Sequence, residues 1–399
     1  SQLRLVREAL LERGHWLEQV PFLAHRLELA LPTENCLGKW YYRAGLGTYD
    51  ALSGQRTIGN SRLLSELQLK QALPSLRGDL NGGVAYSDGQ FNDSRLNLLL
   101  ALTAEREGTV LRTRCRVLKL EHQANGKLSG AITQDSLGNE ERWQAKAIVN
   151  ATGIQVDNIR QLADPSVTPR ILVSRGIHIV LKENLCPNGI GLIVPSTDDG
   201  RVLFILPFFG STQVGTTDTP STIQTAKSPS STERDYLVNY VKRWFPTIGD
   251  PSITSEWAGG RPLLKPSTKE VSSSRVVREH EIETLPCGLI SAMGGKWTTC
   301  RQIALDTLQA VELVIEKPLP PPRKIPIMGS HIKAKTVPTL LMKQEQELKQ
   351  YLPQSQLQNQ QLKHLQSSYG LNALPIIANS LPEERIPLSQ KTPLCEAEI

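Results

Sequence analysis

A change of pattern between residues 287 and 305 constrains the fold of this 399-residue chain more than any other feature. An apolar run, Cys287–Ile290, leads into Gly294–Lys296, and Arg301–Leu305 then has the pattern of a helix start. A strand that enters a glycine turn and continues as a helix directs several backbone N–H groups at one point. Such a point suits an anion or the polar edge of a cofactor, and Lys296 adds a positive charge there.

Composition limits the class of protein. Hydrophobic residues make up 39% of the chain, charged residues 21%, and the net charge is +6. These are ordinary values for a globular protein, and the length suffices for two domains. No apolar run reaches the roughly 18 residues of a membrane span, and the scattered cysteines form no C-x-x-C pair and indicate no metal site. The mild positive charge fits anionic substrates or an anionic membrane surface, whereas the lack of a dense basic cluster argues against nucleic acid.

The order of patterns predicts mixed α and β structure. Helices are predicted over 1–20, 63–72, 95–107, 231–245 and 301–314, and a loop-rich segment over 21–54. The predicted strands are 109–120, 128–134, 145–150, 171–181, 191–195, 202–207 and 213–217, with a hairpin turn at Asn125-Gly126. A proline-rich linker over 317–327 precedes a small helical unit over 328–399. A helical pattern is already under way at the first residues, and the pattern at the last residues is incomplete. We therefore expect the chain to be part of a longer protein.

A small-residue turn and a histidine are candidate site elements. Asn150–Gly153 follows a short apolar strand, and its small residues allow close backbone approach to a ligand. Ordinary α/β architecture is an equally good explanation for this turn. His178 lies inside an apolar strand, where it serves either as a hydrogen-bonded core residue or as a proton acceptor for an alcohol.

Further candidates carry polar side chains. Val214–Asp218 ends in hydroxyl residues and an acid, which also suits plain turn chemistry. Arg261 follows two glycines and is a natural partner for phosphate or carboxylate, with a surface salt bridge as the alternative. Asp93 is expected to cap the helix that begins at Arg95. Together these features indicate a small anionic substrate held by Arg261 and Lys296 beside a large cofactor.

The order of the motifs resembles that of the FAD-dependent, quinone-linked glycerol-3-phosphate dehydrogenases over roughly residues 1–316. The matching segments are Leu5–Arg13, Pro21–His25, Gly47–Leu52, Tyr86–Asp88, Asp93–Leu96, Val149–Gly153, Gly176–Val180, Val214–Asp218, Arg261–Leu263 and Gly294–Thr299. The resemblance implies an α/β fold in which an incomplete Rossmann-like FAD-binding domain carries a mostly antiparallel substrate-binding sheet. The flavin parts are expected at about 1–30, 86–153 and 285–316, and the substrate parts at about 31–85 and 154–284. The segment 328–399 is then part of the family's C-terminal helical domain.

The resemblance also implies site residues. His178, Arg261 and Lys296 are expected to bind glycerol 3-phosphate and take part in catalysis, with His178 as the base. Contacts to FAD are expected from Val117, Thr152, Gly153, Asp218, Gly294, Gly295, Thr298 and Thr299. The implied partners are a quinone as electron acceptor and an anionic membrane surface, with the protein peripheral on the inner, cytoplasmic face of the membrane and a homodimer as one option.

One part of the family pattern is not in this sequence. The family begins with a strand and a Gly-x-Gly-x-x-Gly turn that seats the FAD pyrophosphate, and Gly45–Asp50 does not supply that turn. We therefore expect a fragment that starts after this motif. The expected reaction is oxidation of glycerol 3-phosphate to dihydroxyacetone phosphate. The alternatives are a related flavin oxidase or hydroxyacid dehydrogenase, and an inactive remnant without cofactor.

Overall fold

The computed structural model describes residues 2–53, 58–265 and 280–399. Gly54, which the sequence placed in a loop, lies outside this range. The fold is mixed α/β, which confirms the predicted class. The chain forms two compact units, one comprising 1–9, 27–88 and 113–319 and the other 10–26, 89–112 and 320–399.

Helices occur along most of the described chain. They are α1 (Gln2–Gln19), α2 (Cys36–Ser53), α3 (Glu66–Ala72), α4 (Asp93–Arg106), α5 (Val156–Ala163), α6 (Ser231–Trp244), α7 (Cys300–Ile315), α8 (Val337–Tyr351), α9 (Gln358–Tyr369) and α10 (Ala373–Ala378). Within those described ranges, no helix combines the length and the apolar character needed to cross a membrane.

Most of the strands lie in the first unit. They are β1 (Ala24–Pro32), β2 (Arg62–Leu64), β3 (Gly83–Phe91), β4 (Arg116–His122), β5 (Leu128–Gln134), β6 (Glu140–Gln144), β7 (Ile148–Asn150), β8 (Ile171–Leu181), β9 (Ile190–Val194), β10 (Leu203–Phe208), β11 (Ser211–Gly215), β12 (Thr219–Pro220), β13 (Ile253–Leu264), β14 (His280–Thr284), β15 (Leu289–Gly294), β16 (Pro387–Ser389) and β17 (Thr392–Cys395).

A large, mostly antiparallel sheet organises the first unit. Its strand order is β12-β8-β11-β10-β9-β1-β3-β2, and β13 also pairs with β8. The β1–β9 pair is parallel, whereas β8 is antiparallel to β11, β12 and β13. The main hydrophobic core joins this sheet to α3 and α6 and includes the fully buried Ile177, Ile205, Val214 and Leu237. Strand β8 therefore lies inside the sheet, paired with β11 and with β13.

Two three-stranded sheets complete the first unit. One has the order β14-β15-β7, in which β15 and β7 are parallel, and the other is the antiparallel β4-β5-β6. The hairpin turn predicted at Asn125-Gly126 is confirmed, because Gly126 has φ +80° and Gln123 N donates to Lys127 O. The carboxyl ends of β7 and β15 meet at the same edge, since parallel strands run in one direction.

The loop-rich segment predicted over 21–54 is wrong for its described part. Residues 24–32 form β1 and residues 36–53 form α2. Glycine has low helix propensity. Gly38, Gly45 and Gly47 therefore led to the prediction of a loop instead of a helix. In the structure, Asn35 Oδ1 accepts a hydrogen bond of 2.7 Å from Gly38 N and stabilises the first turn. This side-chain contact offsets part of the cost of the glycines.

Two smaller predictions also need correction. Asn92, not Asp93, caps α4, since Asn92 Oδ1 accepts from Arg95 N at 3.0 Å. Asp93 lies one residue too far along, and its carboxylate instead accepts from Ser94 N. The long strand β13 was not among the predicted strands, because its Gly259-Gly260 and Pro262 have low strand propensity. Pairing with β8 along its whole length overrides that local preference.

The second unit has its own hydrophobic core, formed by residues of α8, α9, α10 and β17. Segments from the first third of the chain belong to it. The side chain of Ser330 donates to Gln19 O at 2.6 Å, and Thr103 Oγ1 accepts from Met328 N at 2.9 Å. The Arg95 guanidinium lies 5.0 Å from the centre of the Tyr369 ring. These contacts explain why 10–26 and 89–112 group with the C-terminal residues.

Candidate functional site

The turns after β7 and β15 form one edge of the β14-β15-β7 sheet. Ser291 on β15 pairs with Asn150 on β7, and each strand then enters a glycine turn. Gly153 has φ +60°, and Gly294 and Gly295 have φ +71° and +79°. These are left-handed conformations that favour glycine. The structure therefore brings two of the predicted glycine turns together at one sheet edge.

Asn150 fixes the turn that follows β7. Its side chain is buried, with Nδ2 donating to Val156 O at 2.9 Å and to Ser291 Oγ at 3.2 Å. Its Oδ1 accepts from the Thr152 hydroxyl at 2.7 Å. Around Gly153 there is open space, since a Cβ atom added there would meet no atom within 4 Å. The Thr152-Gly153 turn is thus held on one side by Asn150 and accessible on the other.

The turn that follows β15 is packed more tightly. A Cβ atom on Gly295 would lie 2.7 Å from Ile303 Cδ1 and 3.0 Å from His280 Cβ, and the φ of +79° also favours glycine there. Lys296, Trp297 and Thr298 follow in order, and the Thr299 hydroxyl donates to Lys296 O at 2.9 Å. This short 3₁₀ turn leads straight into α7 at Cys300. The strand, glycine turn and helix predicted from the sequence are confirmed.

His178 lies in the middle of β8 between two partner strands. It pairs with Gly215 on β11 and with Trp257 on β13. The imidazole stacks on the Trp257 ring with 5.5 Å between centroids and 18° between planes. A Cβ atom on Gly215 would lie 2.1 Å from the imidazole Cδ2, so the ring occupies the space that glycine leaves. His178 is half-buried in this position.

Arg261 lies on β13 and reaches across β8 toward the loop that follows β11. Its Nη2 donates to Thr216 Oγ1 at 2.9 Å and its Nη1 to Thr217 O at 3.0 Å. The same Nη1 is 3.7 Å from Asp218 Oδ1. A Cβ atom on Gly176 would lie 2.2 Å from Nη2, so the guanidinium covers this glycine. The Arg261 side chain is 31% exposed, and the polar loop fixes its direction.

The sheet that carries Arg261 packs against the turn that follows β7. Gly260 lies so close to Ile154 that a Cβ atom would be 3.1 Å from two of its methyl carbons. Val156, Ile171 and Met293 form a small buried cluster that joins α5, β8 and β15. Strands β13 and β15 are also in contact. His178 and Arg261 therefore lie on a sheet that directly adjoins the two glycine turns, and Lys296 follows the second of these turns.

The other predicted contacts have separate positions. Asp218 lies beside Arg261 and accepts a hydrogen bond from the Ser174 hydroxyl. Val117 lies on β4 and packs against a buried cluster that includes Leu120 and Leu289. The roles of all these residues stay predictions.

The structure adds residues that sequence reasoning missed. Glu233 on α6 is buried, and its Oε1 accepts from the Thr217 hydroxyl at 2.9 Å. Burial raises the pKa of Glu233, but hydrogen bonds from Thr219, Ser230 and Thr217 and the charge of Arg175 together hold the pKa below its usual value. Only the capping position of Ser230 before a glutamate was visible in the sequence, and that pattern occurs at many helices.

The comparisons with known proteins are consistent with this geometry. The family model described as FAD dependent oxidoreductase matches residues 1–301. The chain belongs to this family. In this family member, the matched part contains both glycine turns and the whole of the large sheet.

Among curated relatives, a probable mitochondrial glycerol-3-phosphate dehydrogenase of Caenorhabditis elegans is 38% identical over 317 residues. The match covers 78% of this chain and 44% of that protein. The corresponding protein of Dictyostelium discoideum is 37% identical, with 78% of this chain and 51% of that protein covered. The chain thus spans about half the length of the curated relatives it matches.

Solved structures show the same fold. The glycerol-3-phosphate dehydrogenase of Bacillus halodurans, solved with FAD, has a TM-score of 0.74 at 25% identity, covering 92% of this chain and 67% of that one. The L-alpha-glycerophosphate oxidase of Mycoplasma pneumoniae has a TM-score of 0.60 at 16% identity, covering 81% and 82%. The latter likeness is one of fold alone.

Proposed function

We propose that the protein carrying this chain oxidises sn-glycerol 3-phosphate to dihydroxyacetone phosphate with FAD as the first electron acceptor. The observation that carries the proposal is the guanidinium of Arg261, held by the Thr216–Asp218 loop on a sheet that adjoins two glycine turns. The names of the curated relatives and of the Bacillus halodurans structure support the same substrate.

The residues at the sheet edge fit part of FAD. Open space beside Gly153 and the positive φ of Gly294 and Gly295 allow a planar ring system to approach the backbone. Val117, on β4, is proposed to contact the adenine half of the cofactor, whereas Thr152, Thr298 and Thr299 supply hydroxyl groups at this sheet edge. We assign this edge to the flavin half of the cofactor, which when bound accepts the hydride from C2 of the substrate.

The chain's own residues have distinct tasks in this reaction. Arg261 binds the substrate phosphate, since a guanidinium donates two parallel hydrogen bonds to such an anion. Lys296 stabilises negative charge on the substrate. An imidazole nitrogen of His178 takes the proton of the C2 hydroxyl as the C2–H bond breaks. Asp218 keeps the guanidinium oriented toward the loop.

The role of His178 has a direct test. Replacement by asparagine removes the ring nitrogen that is proposed to take the proton. The acidic limb of the pH–rate profile should then disappear along with most of the activity. An unchanged profile in His178→Asn would show that another group takes the proton.

A quinone is the proposed second electron acceptor. The alternatives are direct transfer to oxygen, as in an oxidase, and oxidation of a hydroxyacid in place of glycerol 3-phosphate. Quinone reduction without peroxide would support the dehydrogenase. Peroxide in proportion to the substrate consumed would identify an oxidase instead.

An anionic membrane surface is the proposed partner of α2. Leu37, Trp40 and Tyr41 are 84%, 63% and 76% exposed and lie at positions i, i+3 and i+4, on one side of the helix. Lys39 and Arg43 lie on the same helix and add positive charge. An exposed stripe of Leu, Trp and Tyr beside basic residues is typical of helices that bind at the membrane interface.

The phosphate role of Arg261 decides the proposed function. Loss of charged hydrogen bonds costs about 1.5–3 kcal/mol, so Arg261→Ala should raise KM for glycerol 3-phosphate about tenfold to a hundredfold. The KM for glycerol, which has no phosphate, should change far less. Arg234→Ala is the matched control, since Arg234 pairs with Glu256 in the same unit. Equal effects of Arg261→Ala on both substrates would overturn the phosphate role.

A further inference from the structure

Arg261 depends on the position of the loop that follows β11. Two of its hydrogen bonds end on consecutive residues, one on the Thr216 hydroxyl and one on the Thr217 carbonyl. The arginine is a long side chain with many rotamers, and ordering it costs about 2 kcal/mol of conformational entropy. A loop that is fixed before substrate binds therefore preorganises the guanidinium.

The Thr217 hydroxyl joins the loop to two other elements. It accepts a hydrogen bond of 3.1 Å from Ile177 N on β8 and donates one of 2.9 Å to Glu233 Oε1 on α6. A carboxylate only accepts, so the direction of this chain of bonds is set. The backbone N–H of Ile177 lies between Gly176, which Arg261 covers, and His178. Thr217 is 3% exposed, so water does not replace these partners easily.

Glu233 is fixed from its other side. Its Oε2 accepts from the Ser230 hydroxyl at 2.8 Å and forms an ion pair of 2.7 Å with Arg175 Nε. The two charged side chains are 7% and 13% exposed. Arg175 also donates to Thr225 O at 2.9 Å. The carboxylate therefore has one geometry, and the Thr217 hydroxyl follows it.

We propose that Thr217 and Glu233 are positioning residues that set the place of Arg261 for an anionic substrate group without touching the substrate. The proposal rests on the proposed function, because it assumes that Arg261 binds the phosphate. Glu233 on α6 holds Thr217, the Thr217 carbonyl holds Arg261, and the hydroxyl ties the loop to β8. The affinity for a phosphorylated substrate then depends on a carboxylate buried behind the site.

Thr217→Val tests the proposal, since valine keeps the shape and removes the hydroxyl. In the whole protein with its FAD already reduced and kept anaerobic, so that the substrate binds without reacting, calorimetric Kd for glycerol 3-phosphate should rise about tenfold, which is the effect of losing one or two hydrogen bonds. Thr217→Ser keeps the hydroxyl and should restore Kd to within about twofold. Glu233→Gln should also raise Kd, because the amide loses the ion pair with Arg175.

A buried threonine elsewhere in the same sheet supplies the control. Thr212 Oγ1 accepts from Leu185 N and donates to Glu183 O, both at 2.8 Å, and these bonds lead away from Arg261. Thr212→Val should lower the melting temperature as Thr217→Val does but leave Kd near that of the unmodified protein. If Thr217→Val and Thr212→Val give the same Kd, the positioning role is wrong.

Arg261→Ala separates the positioning role from the proposed function. If this variant leaves Kd for glycerol 3-phosphate unchanged, the phosphate role of Arg261 is wrong. If Arg261→Ala raises Kd and neither Thr217→Val nor Glu233→Gln does, the proposed function stands and the positioning role is overturned. A rise in Kd for Thr217→Val that Thr217→Ser does not restore also overturns it, since the hydroxyl is then not the cause.

Discussion

Gly176 and Gly259 face each other across the β8–β13 pair, yet their surroundings differ. A Cβ atom on Gly176 would lie 2.2 Å from Arg261 Nη2, whereas one on Gly259 would meet no atom within 4 Å. A methyl group added at either position changes the β-propensity of its strand, but only one added at Gly176 would also displace Arg261.

Gly176→Ala should displace the Arg261 guanidinium and raise KM for glycerol 3-phosphate about tenfold, an effect of about 1.4 kcal/mol. Gly259→Ala adds the same methyl group to the paired strand position and should leave KM within about twofold. Steady-state kinetics of both variants measures this. Matching KM values for the two would show that Arg261 is not the group that binds the phosphate.

At this scale, sequence reasoning named candidate residues for the chemistry but not the residues that hold them in place. Arg261, His178 and Lys296 were candidates because their side chains suit an anion and a proton. Trp257 and Glu233 were not, since nothing near them in the chain distinguishes them from ordinary strand and helix residues. Their contacts with His178 and Thr217 depend on the pairing of β8 with β13 and on the packing of α6, which join distant segments of the chain.

Among the elements, α2 shows how local propensity misleads. Its glycines predicted a loop, and the structure has an 18-residue helix. The exposed stripe of Leu37, Trp40 and Tyr41 could be recognised only once the helix was known, because it depends on the 3.6-residue period.

Leu37→Glu should weaken binding of the protein to vesicles that contain phosphatidylglycerol, because a carboxylate replaces an apolar contact and repels the anionic surface. Leu67→Glu is the control, since Leu67 on α3 is 68% exposed and lies off this stripe. Co-sedimentation with phosphatidylglycerol vesicles and with pure phosphatidylcholine vesicles measures the difference. Equal binding of the two variants would rule out α2 as the docking element.

A second element-scale prediction concerns α9 and the turn at 396–398. Glu398 accepts from His364 Nε2 at 2.7 Å and from Cys395 N at 3.0 Å. Burial raises the pKa of Glu398, but these hydrogen bonds outweigh it and lower the pKa below the usual value. The carboxylate therefore stabilises the folded state above about pH 4.3, and this stabilisation is lost as the pH falls through the lowered value.

Glu398→Gln should destabilise the second unit by about 2 kcal/mol at pH 7, with a smaller difference below about pH 4. Hydrogen exchange of residues 358–369 measures the local opening free energy. Glu396→Gln is the control, because Glu396 belongs to the same turn and is exposed. Equal exchange in the two variants would mean that Glu398 does not hold the turn to α9.

For the whole molecule, sequence reasoning predicted the α/β class and the strand–turn–helix motif at 289–315, since both follow from local periodicity. The grouping of 10–26 and 89–112 with the C-terminal residues was not predictable in this way. It depends on contacts such as that between Gln19 and Ser330, which lie 311 residues apart. No local pattern encodes such a pair.

The central claim is that this family member draws its electrons from glycerol 3-phosphate. The most direct measurement is the visible absorbance of the FAD-loaded whole protein after anaerobic addition of one candidate substrate at a time. Glycerol 3-phosphate should bleach the flavin and yield one dihydroxyacetone phosphate per FAD reduced, whereas glycerol at the same concentration should not. Bleaching by a hydroxyacid or an amino acid, with none by glycerol 3-phosphate, would contradict the claim.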